Sequence, residues 1–412
     1  MNAPPEFRVA HTAGAAVVSL RAAWPGGATA ESLPGLASVM GSGLSEGSQR
    51  RDWRQLAEDA EALGASIQCG ASFEAVGLSI DAMAADWVRV LDWAQELLLE
   101  PVFPHDRCRW LARQAAAELE SMADQPDVVA QRAFLEHLYL PHPRSRPLKG
   151  DEASLQRVDG DACSEFYRAH RAAGPLLLSV AGPIDEEAVL RGLEERFSPR
   201  LLAQALASGP SRELATPPKI EGNPQRRREV KLPAQGDQAH VYAGHLTVPQ
   251  SHPDATALQV LAVILGAGGG LHGRIPHRIR EQEGLAYSAY AHTLAGAGLA
   301  PGRLTLYAGT AAAQAARVET GLVEELERLV EEGPEAAEVE EARTFLLGRD
   351  PFLRETPRQV ASLMVDSAFY GLPMDDPEWR RGQLEAVDRE VAERVARRWL
   401  RPDQLRITVG LP

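Results

Sequence analysis

Between Arg51 and Gly64 the apolar residues fall at helical spacing, with Trp53, Leu56, Ala60 and Leu63 on one face and Gly64 as a stop. The period then changes to two. Ser66 to Ala71 and Ala75 to Ala82 read as paired strands, the second alternating Val76, Leu78 and Ile80 with smaller or polar neighbours. A helix from Asp86 to Leu99 follows and ends at Glu100-Pro101-Val102-Phe103-Pro104, where proline blocks continuation.

The same succession occurs twice. Ala15 to Ala22 and His240 to Leu246 read as opening strands, each followed by a turn with Pro or Gly and then an apolar helix. At the far end of each half, Phe166 to Leu178 and Trp399 to Leu405 lead into the apolar runs Leu178 to Gly182 and Arg406 to Gly410. The offset, about 225 residues, is too long for a solenoid or propeller repeat and indicates a duplicated domain. Mixed strands and helices in each half predict an α+β fold, with helices covering one face of an antiparallel-rich sheet. A polar, Pro-rich stretch without periodicity runs through Ala207-Ser208-Gly209-Pro210, Thr216-Pro217-Pro218 and Gly222-Asn223-Pro224. The expected organisation is an N-terminal domain over 1–207, a linker over 208–224 and a C-terminal domain over 225–412.

A length of 412 residues suits two cores rather than one, and 44% hydrophobic content is enough to fill them. The net charge of -14 and the lack of a basic stripe argue against a nucleic-acid partner, and Arg226-Arg227-Arg228 reads as a solvated strand entry. Cys69, Cys108 and Cys163 are odd in number and far apart, so neither a disulfide framework nor a zinc ribbon is indicated and a reducing compartment is expected. No run approaches a membrane span, and Met1 to Phe7 lacks the features of a secretion signal. A soluble, cytoplasmic protein is the expectation.

Two stretches carry candidate chemistry. Gly35-Leu36-Ala37-Ser38-Val39-Met40-Gly41-Ser42-Gly43-Leu44 reads as a short helix of apolar and small residues. Ile264-Leu265-Gly266-Ala267-Gly268-Gly269-Gly270-Leu271-His272-Gly273-Arg274 leads into Ile279-Arg280-Glu281-Gln282-Glu283-Gly284-Leu285-Ala286-Tyr287-Ser288. Gly266, Gly268, Gly269 and Gly270 permit the close backbone approach an extended peptide needs. A phosphate cradle is the rival, but no Gly-Lys-Ser or Gly-Lys-Thr and no βαβ context accompany it.

Together these stretches resemble the M16 metallopeptidases, the insulysin, pitrilysin and mitochondrial processing peptidase family. The first resembles the helix bearing the inverted zinc motif H-x-x-E-H. On that pattern Ser38 and Ser42 stand at the two histidine positions and Gly41 at the general-base glutamate. Two hydroxyls cannot replace two imidazoles as zinc ligands, so no metal is expected in this chain. The third ligand, a glutamate on a later helix, falls at Arg109 or Leu111, with Glu118 and Glu120 further along. Ala133-Phe134-Leu135-Glu136-His137 lacks the first histidine of such a motif and reads as a packed amphipathic helix. Alternative metal pairs are weak too: His240 and His245 fall on opposite faces of a strand, and His272 and His277 flank a turn without a carboxylate or cysteine at ligand spacing.

The second stretch resembles the family's glycine-rich turn and its R-E and G-L-A-Y-S pattern. The resemblance implies that Arg280 and Tyr287 reach an active site from the domain facing the zinc, the guanidinium holding peptide carbonyls and the phenol donating to an oxyanion. It implies two homologous domains forming half of a clamshell, and a non-catalytic subunit whose zinc-bearing M16 partner keeps H-x-x-E-H, as a heterodimer rather than a homodimer. A structural or peptide-binding relative, like the core subunits of the respiratory bc1 complex, is the alternative. A third reading takes Ser38 or Ser42 as a nucleophile, for which no His and Asp arrangement can be inferred.

Overall fold

The alternating segment at Ala75 becomes a strand, Ala75–Met83, whose Val76, Leu78, Ile80 and Ala82 face the core. It belongs to the first of two five-stranded sheets in the computed structural model, which describes residues 6–171, 175–208, 225–233, 237–267 and 273–412. The strands are β1 (Glu6–His11), β2 (Val17–Pro25), β3 (Ser66–Ala71), β4 (Ala75–Met83) and β5 (Leu177–Gly182), in the order β1-β5-β2-β4-β3. β1 runs parallel to β5, and the other pairings are antiparallel.

The second sheet repeats this plan. Its strands are β6 (Arg227–Lys231), β7 (Gln238–Leu246), β8 (Ala286–Ala295), β9 (Arg303–Ala311) and β10 (Arg406–Leu411), in the order β6-β10-β7-β9-β8. Each strand corresponds to the one five places earlier, and again one edge pair, β6 with β10, is parallel. Equivalent order and direction in both sheets establish the α+β duplication. Arg227 and Arg228 lie on the edge strand β6, paired with Glu229 and Glu319 and with Glu136 respectively.

In the first half, α1 (Leu36–Gly43), α2 (Trp53–Ala62), α3 (Trp87–Leu99) and α4 (His105–Ala123) follow in chain order. The start of α2 is fixed by a capping box in which Asp52 accepts from the Arg54 and Gln55 amides and Gln55 accepts in return from the Asp52 amide. Gly64 takes a φ of 61, which ends the helical run as its sequence position suggests.

The chain divides into two compact units that are not contiguous stretches of sequence. One comprises Met1–Leu119, Pro147–Pro218 and Phe352–Asp375, the other Glu120–Arg146, Lys219–Pro351 and Asp376–Pro412. Residues 209–224, most of the expected linker, lie outside the described residues.

The central strands β2, β5 and β7 are buried on both faces, where cover on one face was expected, and each unit obtains part of that cover from the other half of the sequence. In the first unit the helix Pro357–Tyr370 packs on β2 and β5, where Ser179 Oγ donates to the Ala361 carbonyl at 2.6 Å. Every residue of β5 is consequently buried, as expected for a strand covered on both sides. In the second unit α5 (Pro126–Tyr139) lies across β10 and β7. Phe134 stacks on Tyr242 with ring centres 5.3 Å apart, and a Cβ at Gly244 would come within 2.9 Å of that phenyl ring.

Candidate functional site

The helix α1 is held against the edge strand β3 more tightly than side chains normally allow. A Cβ at Gly41 would stand 2.6 Å from the Gly70 carbonyl carbon, 2.7 Å from the Ala71 nitrogen and 2.9 Å from the Gly70 oxygen. All three are backbone atoms, so a side chain there requires α1 or β3 to move. Ser38 and Ser42 stand one turn apart on α1, both half-buried. The carboxylate of Glu31 caps the helix, accepting from the Gly35 amide at 3.1 Å and the Ala37 amide at 2.9 Å. On β3, burial pushes the Cys69 thiol up to about 12.

The second stretch is built around an irregular turn. Gly266 has a φ of 141 and a Cβ there would lie 2.6 Å from Pro276 Cδ, while a Cβ at Gly273 would lie 2.6 Å from the Gly266 backbone. Only glycine permits this approach of two backbone segments. Gly268, Gly269, Gly270 and His272 lie outside the described residues. Arg280 sits on the wide π-helical segment His277–Gln282.

That segment is pinned from one side. Arg278 donates through Nε to Glu283 at 2.8 Å and through Nη1 to Glu325 at 3.2 Å, and also pairs with Glu324. Glu283 in turn accepts from Arg317 at 2.8 Å. Hydrogen bonds from Arg278 and then Arg317 hold the Glu283 carboxyl below its usual range. A Cβ at Gly321 would meet Ile279 Cδ1 at 2.7 Å, so the helix Ala315–Glu332 closes on the segment at a residue without a side chain.

Arg280 and Tyr287 come together. The guanidinium carbon lies 5.0 Å from the centre of the Tyr287 ring, within cation–π range. Tyr287 is 84% exposed, on the edge strand β8, at a break in register: Ala286 faces Thr310 while Ser288 faces Gly309. The extra residue is a β-bulge. It turns Tyr287 and Ser288 outward in succession where strict alternation would send one of them into the core, so Ala286 and Ala289 are buried and the two residues between them are exposed.

Residues 157–346 match the family model described as the peptidase M16 inactive domain. The Helicobacter pylori protein described as non-peptidase homolog YmxG is 24% identical over 356 residues, covering 86% of this chain and 79% of that protein. Over residues 157–346 the chain resembles the M16 family. Bacillus subtilis YmxG, described as an uncharacterized zinc protease, is 23% identical over 303 residues, covering 74% of this chain and 70% of its own. A solved structure from Pseudomonas fluorescens, described as a peptidase M16 inactive domain, agrees in fold with a TM-score of 0.85 at 21% identity, covering 100% of this chain and 96% of that one.

At the positions that resemble the M16 zinc motif, the residues of this chain do not fit the ion. Ser38 and Ser42 offer neutral hydroxyls, and Gly41 has neither a side chain nor room for one. At the positions considered for the third M16 ligand, Arg109 is exposed, Leu111 packs against the first core and Glu118 is paired with Lys149, while Glu120 is exposed. Among the described residues no group of three or more His, Cys, Asp or Glu is placed to hold a metal. No described helix is long and apolar enough to cross a membrane.

His137, His240, His245 and His277 have structural partners. His137, in the motif-like run at the end of α5, is buried, its Nδ1 bonded to Thr408 Oγ1 at 3.0 Å and its Nε2 to the Gln225 carbonyl at 2.7 Å, while Glu136 pairs with Arg228. His240 bonds Tyr307 Oη at 2.9 Å, and on the opposite face of β7 His245 accepts from the Arg401 amide at 3.0 Å. His277 is engaged by Glu281 at 2.8 Å and by Gln282 at 3.0 Å. At Ser42 it is the carbonyl that is engaged, accepting from Ser45 Oγ at 3.1 Å. The bulge at Tyr287 and the Arg278 clamp escaped sequence reasoning. A run of alternating residues carries no mark of where an extra one is inserted, and one arginine among many does not announce three carboxylate partners.

Proposed function

We propose that this chain is the non-catalytic subunit of a heterodimeric M16 zinc metallopeptidase, contributing Arg280 and Tyr287 to peptide cleavage carried out at zinc in a partner subunit with intact H-x-x-E-H. The reading rests on one observation: a bulge turns Tyr287 outward within cation–π range of Arg280, on a segment pinned through Arg278, in a chain whose own zinc positions are two serines and a glycine. A phenol and a guanidinium held in this way can donate to the carbonyls of an extended peptide and to the oxyanion of its cleavage. Gly266, with Gly268, Gly269 and Gly270, would provide backbone against which the peptide lies. Its free cysteines fit a reducing compartment, and we place the complex in the cytoplasm.

The test is reconstitution with a zinc-bearing M16 chain and hydrolysis of an unfolded peptide. Activity should need both chains, and Arg280→Ala or Tyr287→Phe should lower kcat/KM by about 10- to 1000-fold without dissociating the complex. Full turnover by the double variant would refute the assignment. The description of the Helicobacter pylori relative as a non-peptidase homolog favours a second reading, a peptide-binding homologue with no peptidase role. In that case peptide binding survives in the isolated chain and no zinc-bearing partner restores hydrolysis.

A further inference from the structure

Arg280 and Tyr287 are joined by six residues, Glu281 to Ala286, which leave the wide segment His277–Gln282 and enter β8. A π-helical turn spans one residue more than an α-helical one and is rare. Here it is closed twice between the same two residues. The Glu283 amide donates to the Arg278 carbonyl at 3.0 Å, and the Glu283 carboxylate accepts from Arg278 Nε at 2.8 Å. Arg280 lies inside the loop so closed.

Glu283 also reaches outward. Its second oxygen accepts from Arg317 Nε at 2.8 Å, so one carboxylate joins the turn to the helix Ala315–Glu332. Beyond it Gly284 reverses the chain with a φ of 62. The Leu285 amide then donates to the Ile279 carbonyl at 2.8 Å, the Leu285 carbonyl accepts from Thr310 Oγ1 on β9 at 2.5 Å, and Tyr287 follows two residues later. Glu283 therefore stands where the turn bearing Arg280 meets the approach to Tyr287. Arg278 has two other partners, Glu324 and Glu325, but both belong to the helix and neither closes the turn. Without the Glu283 carboxylate they hold the Arg278 guanidinium against the helix, and the turn keeps only its main-chain closure.

We propose that Glu283 is a positioning residue for Arg280, a role that rests, for its use on a substrate, on the peptidase reading. By closing the wide turn on Arg278 and anchoring it to Arg317, Glu283 holds the Arg280 guanidinium over the Tyr287 ring. A glutamine at this position turns one of the two accepting oxygens into an amide donor facing an arginine, so one of the two ties is lost.

The stack can be read in the full chain, isotope-labelled at arginine, from the Nε–Hε resonance of Arg280, assigned by its loss in Arg280→Lys. The ring current of Tyr287 displaces this resonance, and Tyr287→Leu gives its unstacked position. Glu283→Gln should move it towards that position, whereas Glu324→Gln, which removes an Arg278 partner outside the turn, should leave it in place. Ion pairs this close to solvent contribute little to stability, so the unfolding midpoint of Glu283→Gln should stay within about 2 °C of wild type. With a zinc-bearing partner, Glu283→Gln should lower kcat by about 10- to 100-fold and leave KM within about twofold. An Arg280 resonance unmoved by Glu283→Gln, an equal displacement by Glu324→Gln, or full kcat of Glu283→Gln in an active complex would each overturn the proposal. Because the resonance is read without a partner, an inactive wild-type complex counts against the peptidase reading alone.

Discussion

Replacing Gly41 by alanine should destabilise the protein even though alanine is the better helix former. A Cβ at this position would lie 2.6 to 2.9 Å from the Gly70 and Ala71 backbone, where carbon contacts normally sit at about 3.5–4.0 Å, so α1 and β3 must part by up to about 1 Å. Forcing a methyl group into a close-packed site costs about 1–3 kcal/mol, against a gain of about 1 kcal/mol from helix propensity. The clash offsets the propensity gain, and the net loss should be up to about 2 kcal/mol. Gly348, exposed near the end of the helix Ala336–Arg349 with nothing within 4 Å of its Cβ position, is the control. Gly348→Ala should stabilise by about 0.5–1 kcal/mol. Denaturant unfolding of both variants reads the two signs directly, and stabilisation by Gly41→Ala would refute the tight apposition of α1 and β3. The same packing forecasts that the triple variant Ser38→His, Gly41→Glu, Ser42→His will not hold stoichiometric zinc, because the glutamate enters the space where the clash is worst.

Two further outcomes follow from the second unit. His142 is buried, accepts from the Arg144 amide at 3.1 Å, and is pushed down to about 4 by burial and then by the nearby Arg144 charge. A histidine with a depressed folded pKa is protonated more readily in the unfolded chain, so its contribution is present above the ordinary value of about 6.5 and is lost as pH falls toward 4. Wild type should lose stability over that window with an extra slope of at most about 1.4 kcal/mol per pH unit, absent in His142→Asn, and parallel pH profiles of the two proteins would contradict it. Phe134→Ala should destabilise the second unit by about 3–5 kcal/mol, because the ring is 1% exposed and stacked on Tyr242. Urea unfolding measures this, and a loss below about 1 kcal/mol would mean that α5 is not seated on β7 by this contact.

The elements nearest the zinc motif were legible from local patterns. The helix stop at Gly64 and the strands Ser66–Ala71 and Ala75–Met83 fall where periodicity places them, because a half-buried strand must alternate and a helix must end where its hydrogen bonds can be closed. The opening strand of the second half begins at Gln238, two residues before the apolar run suggests, since pairing with β9 extends it. At the candidate site, Arg280 and Tyr287 were identified by motif, whereas their stacking and the outward turn of Tyr287 were not. Both depend on the register between β8 and β9, which involves residues about twenty positions apart.

The sequence by itself determined the duplication, the α+β class and the loss of zinc chemistry, since each rests on residue types and short periods. What tertiary structure alone decided was which helix covers which sheet. α5, encoded in the first half, lies on the second sheet, and the helix Pro357–Tyr370, encoded in the second half, lies on the first. An amphipathic helix specifies that it needs an apolar surface but not which one. That choice was made by the fit of Phe134 over Gly244 and of Ala361 over Ser179, contacts between residues more than a hundred positions apart in the chain.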